Sequence, residues 1–219
     1  MGWASFLSRK AIFYLPTMII VNYGAGNLTS VQNALNYLGV KSKISAEPGE
    51  IENAEKIIFP GVGAAQAAME NLNKSGIGEA LKRAFKKNTP ILGICIGCQI
   101  ILESSEEDGG TQCLGMLPGK AVKFKDEPGL KIPHIGWNQV NFELEHPIFK
   151  GIPNNSNFYF VHSYHPECKA PPTNVYATTV YGSQTFPCVI GLNSIIATQF
   201  HLEKSGDVGL QVLKNFYSF

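Results

Sequence analysis

The run Thr89-Pro-Ile-Leu-Gly-Ile-Cys95-Ile-Gly-Cys-Gln-Ile-Ile-Leu102 constrains this chain more than any other stretch. Residues Ile91 to Ile94 have the length and β-branching of a short buried strand. A helix is expected to open near Gly97 and to carry Gln99, Ile100, Ile101 and Leu102. Between the two stands G-x-C-x-G, glycine on both sides of a cysteine. A turn that tight leaves no room for side chains on its flanks and holds the central residue out above the sheet, the layout of a nucleophile elbow with sulfur in place of a hydroxyl. At a helix N-terminus, unpaired N–H groups and the helix dipole favour the thiolate, the form that attacks carbonyls, so Cys95 is the candidate nucleophile. The same residues also spell C-x-x-C from Cys95 to Cys98, the spacing of a redox pair that follows a strand. This stretch alone leaves both readings open.

Composition narrows the setting. A chain of 219 residues with 44% apolar content is long enough for one domain with an ample core. A formal charge of +1 with 16% charged residues gives no electrostatic case for nucleic acid or an anionic membrane surface as partner. Five cysteines, at 95, 98, 113, 168 and 188, have no histidine at zinc spacing near them. That odd, scattered set favours a reducing cytoplasm and no metal site. Residues 1–17 differ in texture: Arg9 and Lys10 without acids, and the bulky apolar Trp3, Phe6, Leu7, Phe13 and Tyr14. They read as an extension before a domain that spans residues 18–219, since the apolar run Ala11 to Leu15 is too short to cross a bilayer.

In chain order, Met18 to Tyr23 reads as a strand, and Asn27 as the cap of a helix with Leu28, Val31, Leu35 and Leu38 on one face. A short strand, Lys41 to Ile44, precedes the strand Lys56 to Phe59, which runs into Pro60-Gly-Val-Gly63. Glycines after a buried strand let backbone N–H groups turn towards a ligand, as an oxyanion hole requires, although an ordinary turn has the same composition. Helices are expected over Ala64 to Leu72 and Gly78 to Lys87, the second with Lys82, Arg83, Lys86 and Lys87 as a solvated face. Strands alternating with helices imply a parallel sheet with crossover helices, and ligands gather at the carboxyl ends of such strands, where both glycine-rich turns fall.

Beyond Asp108 the pattern turns to strands: Ala121 to Phe124, Gln139 to Leu144, Asn157 to His162, Val175 to Tyr181, Cys188 to Leu192 and Ile195 to Phe200. A helix, Asp207 to Phe216, follows. The fold class is therefore α/β, a central mostly parallel sheet flanked by helices with a strand-rich second half. In extended chain, His201 and Glu203 fall on one face because side chains alternate with period two. A carboxylate there fixes the tautomer of the imidazole and raises its basicity.

The motifs share one order with a known family. Asn22-Tyr-Gly-Ala-Gly-Asn27, Pro60-Gly-Val-Gly63, Gly93-Ile-Cys-Ile-Gly97 with Gln99, Gly109-Gly-Thr-Gln112, Pro133-His-Ile-Gly-Trp-Asn138, Phe160-Val-His-Ser-Tyr164 and Gln199-Phe-His-Leu-Glu-Lys-Ser205 resemble the class I (triad) glutamine amidotransferases, with a flavodoxin-like fold. Within that family the chain is most similar to the glutaminase subunits of imidazole glycerol phosphate synthases. The resemblance covers residues 18 to 219 and speaks against the redox pair, because a thioredoxin-like fold gives no reason for a His-x-Glu a hundred residues further on.

The resemblance implies that Cys95 attacks the side-chain amide of glutamine, that His201 serves as base and then acid, and that Glu203 holds His201. Backbone N–H groups near Val62, Gly63 and Ile96 would form the oxyanion hole. Gly61, Gln99, Glu107, His162, Ser163 and Tyr164 would grip the substrate. Ammonia would pass to a (βα)8-barrel cyclase subunit in a heterodimer serving histidine biosynthesis, with no cofactor or metal. The docking face would include Asn22, Tyr23, Asn27, Trp137, Asn138, Tyr159 and Lys204.

Two departures from the family's pattern carry expectations. Leu202 stands where the family has proline, which is expected to loosen the alignment of His201 with Glu203. Cys98 stands where an apolar residue is usual, which suggests reversible oxidation against Cys95. The alternatives are a paralogue feeding ammonia to another synthase, such as a sugar-aminating enzyme of surface polysaccharide, and a non-enzymatic scaffold.

Overall fold

A computed structural model describes residues 17–168 and 174–219; the extension expected over residues 1–17 lies, but for Thr17, outside the described residues. The chain first alternates between strand and helix: β1 (Met18–Val21), α1 (Leu28–Tyr37), β2 (Ser42–Ser45), α2 (Pro48–Glu52), β3 (Lys56–Gly61), α3 (Ala65–Ser75), α4 (Ile77–Lys86), β4 (Ile91–Cys95) and α5 (Ile96–Ile100). Short strands follow: β5 (Ser104–Ser105), β6 (Thr111–Gln112), β7 (Lys120–Lys123), β8 (His134–Phe142), β9 (Ser156–His162), β10 (Tyr164–Glu167), β11 (Asn174–Tyr181), β12 (Gln184–Leu192) and β13 (Ile195–Thr198). Helix α6 (Gly206–Ser218) comes last.

Among the described residues, nine strands form the main sheet in the order β2-β1-β3-β4-β13-β12-β11-β8-β9. The first five are parallel, and the last four add antiparallel ladders to β13. The parallel half follows the 2-1-3-4-5 order of flavodoxin-like sheets, with β13 as its fifth strand. Strands β1, β3 and β4 are buried end to end, as strands covered by helices on both faces must be. Their side chains divide by alternation: Ile19, Val21, Ile57, Phe59 and Ile91 pack under α3, α4 and α5. Met18, Ile20, Ile58, Leu92 and Ile94 pack on the opposite face, with α1 and α6.

The local chemistry accounts for the ends of these elements. Asn27 accepts the Ser30 N–H at 3.3 Å and so caps α1, as its side chain predicts. Lys56, at the start of β3, sends its ammonium to the Phe216 and Tyr217 carbonyls, at 2.9 and 2.8 Å, and to Phe219, tying down the end of α6. At the elbow, Gly97 packs so closely against the Phe59 carbonyl that any side chain there would collide with it.

The first-half strands fall where expected to within two residues. Strand β8 starts five residues ahead of the expected Gln139, at His134. Among the described residues, one helix and three strands were not anticipated. Helix α2 is five residues long and starts at Pro48, and β5, β6 and β10 join β7 in a second, four-stranded sheet ordered β10-β7-β5-β6. None of the described helices is long and apolar enough to cross a membrane.

Candidate active site

The elbow lies where the sequence puts it, but its helix is shorter. Strand β4 runs on through Cys95, and α5 opens at Ile96 and ends at Ile100, so Ile101 and Leu102 lie in the following turn. Cys95 holds φ 56° and ψ −110°, a conformation that residues with a Cβ rarely adopt, and it is the abrupt change of direction from strand to helix that demands it. With only five residues behind it, α5 contributes little dipole.

Strand β3 ends beside the elbow, with Gly61 paired to Cys95 in the parallel ladder. A side chain at Gly61 would collide with the Tyr23 hydroxyl and the Ile96 side chain, so glycine alone lets the Pro60–Gly63 loop lie against the elbow. Val62, Gly63 and Ile96 line the same cleft of about 420 Å³ as Cys95 and His201. Gly63 has φ +99°, the glycine-favouring conformation expected of a loop that turns its backbone towards a ligand.

His201 enters from the other side. Strand β13 ends at Thr198, and His201 sits instead in an isolated bridge to Tyr159, donating its N–H to the Tyr159 carbonyl at 2.9 Å. Leu202–Lys204 is a single 3-10 turn. The expected sharing of a strand face by His201 and Glu203 is thus incorrect as geometry, yet the pair forms: Nδ1 of His201 lies 2.6 Å from Oε1 of Glu203, with both side chains only 2% exposed. Ser205 braces the turn, donating its hydroxyl to the His201 carbonyl at 2.5 Å while accepting the Tyr159 N–H at 3.0 Å.

With Nδ1 engaged, Nε2 of His201 is buried and is the nitrogen left for Cys95. Burial by itself favours the neutral ring, but the Cys95 sulfur and then the Glu203 carboxylate outweigh it, and the His201 pKa is pushed up to about 10. A cationic ring beside a sulfur stabilises the thiolate.

Gln99, Glu107, His162, Ser163 and Tyr164 all line the cleft, together with Pro133, Val161 and Lys204. Gln99 is fixed by its Nε2, which donates to the Tyr164 carbonyl at 2.7 Å and to Gln199 Oε1 at 3.1 Å. Glu107 accepts the Ala65 N–H at 2.7 Å, capping α3 from a distant turn, and burial raises its pKa. The arrangement can bind a small polar molecule in front of a nucleophilic sulfur, with a proton carrier on one side and backbone N–H groups on the other.

The residues expected at a docking face do not all reach the surface. Trp137 is 57% exposed, Tyr159 is half-buried edge-on to it at 6.1 Å, and the Lys204 ammonium lies 5.8 Å over the Tyr159 ring. Asn22 and Asn27 turn their carboxamide oxygens to the Gly24 and Ser30 N–H groups. Tyr23 is different: it is buried against Phe59, its hydroxyl is enclosed, and burial raises its pKa, so in this structure it is a core residue. Asn138 is half-buried, and its amide donates to the Val180 carbonyl at 2.7 Å. Ile135, 59% exposed and two residues from Trp137 on the same strand face, belongs to the patch and was missed, although period two pointed to it. Ser205 and Gln199, the ends of a quoted motif, were given no role of their own, because their partners Tyr159 and Gln99 are distant in the chain.

Cys98 does not join the site. Its side chain packs under α3 and α4 while Cys95 belongs to the core on the other face of the sheet, and all five cysteines are free thiols. Burial raises the Cys98 pKa well above that of a free thiol, opposite to what a redox pair needs. Leu202 is fully buried, and His201 has an extended φ −86° and ψ 108° without a following proline.

Comparison with known proteins points the same way. The family profile described as glutamine amidotransferase class-I matches residues 19–218. The chain is 45% identical over 198 residues to the imidazole glycerol phosphate synthase subunit HisH of Dehalococcoides mccartyi (strain CBDB1), an alignment covering 90% of this chain and 95% of that one. It is also 45% identical over 204 residues to the subunit of the same name from Chlorobaculum tepidum, covering 92% and 100%. Among solved structures, PurLQS from Thermotoga maritima superposes with a TM-score of 0.70 at 18% identity, over 93% of this chain and 98% of that one, a likeness of fold alone.

Proposed function

The chain belongs to the class-I glutamine amidotransferases, and on that premise we propose that it is the glutaminase subunit of an imidazole glycerol phosphate synthase, releasing ammonia from glutamine for histidine biosynthesis. The observation that carries the chemistry is that Cys95 from the elbow and His201 from the turn after β13 line one cleft, with Glu203 behind the imidazole. The alternative of a sugar-aminating partner is not favoured, because relatives at 45% identity over nearly their whole length carry the HisH name.

In the proposed reaction the glutamine side-chain amide lies against Gln99, His162, Ser163 and Tyr164. The Cys95 sulfur attacks the amide carbon, and the carbonyl oxygen takes the negative charge, received by N–H groups near Val62, Gly63 and Ile96. His201 gives its Nε2 proton to the amide nitrogen, the C–N bond breaks, and ammonia leaves a thioester on Cys95. Water then attacks the thioester while His201 takes its proton, so glutamate departs and the thiolate and imidazolium are restored. Glu203 holds Nδ1–H throughout, which keeps Nε2 directed at the sulfur.

The partner in this reading is a (βα)8-barrel cyclase docked on the face of Ile135, Trp137, Tyr159 and Lys204. Exposed aromatic and apolar side chains beside one cation suit the centre of such an interface. The direct test is glutamate production from L-glutamine with and without that barrel subunit. Faster turnover in the complex supports the assignment, and absence of hydrolysis in the intact complex overturns it.

A further inference from the structure

Behind the His162–Tyr164 wall of the cleft lies an imidazole that the proposed reaction leaves unused. His134 on β8 pairs with His162 on β9, and both are buried. His162 Nδ1 is 2.8 Å from the Tyr164 carbonyl, and a carbonyl can only accept, so Nδ1 carries the proton. In the neutral ring, Nε2 is then an acceptor. It lies 3.2 Å from His134 Nδ1, which must therefore be protonated, leaving His134 Nε2 to accept from the Asn138 amide at 3.4 Å. Three hydrogen bonds thus point one way: from Asn138 to His134, from His134 to His162, and from His162 to the Tyr164 carbonyl that also receives Gln99. The His134 ring cannot turn freely, because it is stacked between Phe160 and Tyr181 at centroid distances of 4.9 and 4.0 Å.

We propose that His134 is a positioning residue for the glutamine pocket: its Nδ1–H holds the His162 ring, and through it the Tyr164 backbone, in the one orientation that shapes the pocket wall. The inference rests on the glutaminase reading, which makes that wall a substrate contact. A chain of neutral imidazoles with fixed tautomers is a rigid support, since reversing any one bond would leave two donors or two acceptors facing each other in a buried place. Because the wall touches substrate and transition state alike, its loosening raises KM and leaves kcat nearly unchanged.

The test is His134→Phe, which keeps a ring between Phe160 and Tyr181 but removes donor and acceptor together. In the complex with its barrel subunit, KM for L-glutamine should rise about tenfold with kcat within about twofold, the effect of one buried hydrogen bond. His134→Asn places an amide N–H near the former Nδ1 and should recover most of the loss. Nitrogen-15 spectra of histidine-labelled protein supply the readout that packing alone does not move. They should show His162 as the Nδ1–H tautomer with a hydrogen-bonded Nε2 in the wild type, and Nε2 released in His134→Phe. An unchanged KM in folded His134→Phe, a defect that His134→Asn fails to repair, or a wild-type His162 protonated on Nε2 would each overturn the proposal. Should His134→Phe not fold, His134→Asn and the wild-type spectra decide. If the wild-type complex fails to hydrolyse glutamine, the glutaminase reading falls, while the spectra still report whether His134 holds His162.

Discussion

Nδ1 of His201 meets Oε1 of Glu203 at 2.6 Å across a single 3-10 turn, inside an environment that leaves both side chains 2% exposed. A carboxylate so enclosed fixes which imidazole nitrogen faces the sulfur, and it must be replaced by something of the same shape to be probed cleanly. Glu203→Gln keeps the volume and removes the charge. The expected outcome is a fall in kcat for glutamine hydrolysis of about 10²–10⁴-fold, with the circular dichroism spectrum unchanged. A variant within about threefold of wild type would remove Glu203 from the mechanism.

The same contacts make stability depend on pH. His201 is raised to about 10 by Cys95 and Glu203 in spite of burial, so the stabilisation from its protonated form is complete below the unfolded histidine pKa of about 6.5. It is lost as pH rises through 10. His134 and His162 are lowered by burial to about 4 and 3, so their contribution is present above about 6.5 and is lost as pH falls towards those values. Denaturant midpoints should therefore peak near neutral pH. Glu203→Gln should flatten the alkaline limb, and His134→Phe the acid limb. A curve that keeps rising from pH 7 to 10 contradicts this assignment.

Strain at the elbow predicts a trade of stability for function. Cys95 holds a positive φ that glycine adopts freely, and such positions cost on the order of 1–3 kcal/mol in residues with a Cβ. Cys95→Gly and Cys95→Ala should both be inactive. Of the two, Cys95→Gly should unfold at higher denaturant by about 1 kcal/mol, although glycine is the more flexible residue when unfolded. The reverse ranking would show that the backbone there is relaxed.

Leu202 bears on the alignment of His201 with Glu203. His201 already has the extended geometry that a following proline would enforce, and the Leu202 side chain is fully buried against the α1 and α6 face. Leu202→Pro should leave kcat within about twofold. It should lower stability by about 1 kcal/mol through lost apolar burial. A large gain in turnover would restore the view that leucine loosens the pair.

What could be read from the chain divides by range of interaction. The βα units, the cap at Asn27 and the elbow at Cys95 were legible because each is written within a few consecutive residues. His201 and Glu203 were found through period two, although a 3-10 turn joins them, because both geometries bring i and i+2 close enough to touch. Strand β10 and the second sheet were not legible, since β10 pairs with β7 some forty residues away and has no apolar alternation of its own. The support under the pocket, from His134 to His162, is likewise a cross-strand contact that only the register of β8 on β9 creates. Tyr23, which the resemblance put on the docking face, is instead enclosed by Gly61 and Phe59, an approach between separate strands.

The proposed reaction requires a covalent bond between Cys95 and the substrate. The most direct measurement is mass spectrometry of the complex quenched in acid while it turns over L-glutamine, with proteolysis to locate any adduct. The expected result is a γ-glutamyl thioester on the peptide bearing Cys95, absent from Cys95→Ser. An adduct on Cys98 or another residue, or wild-type hydrolysis by Cys95→Ser, would contradict it.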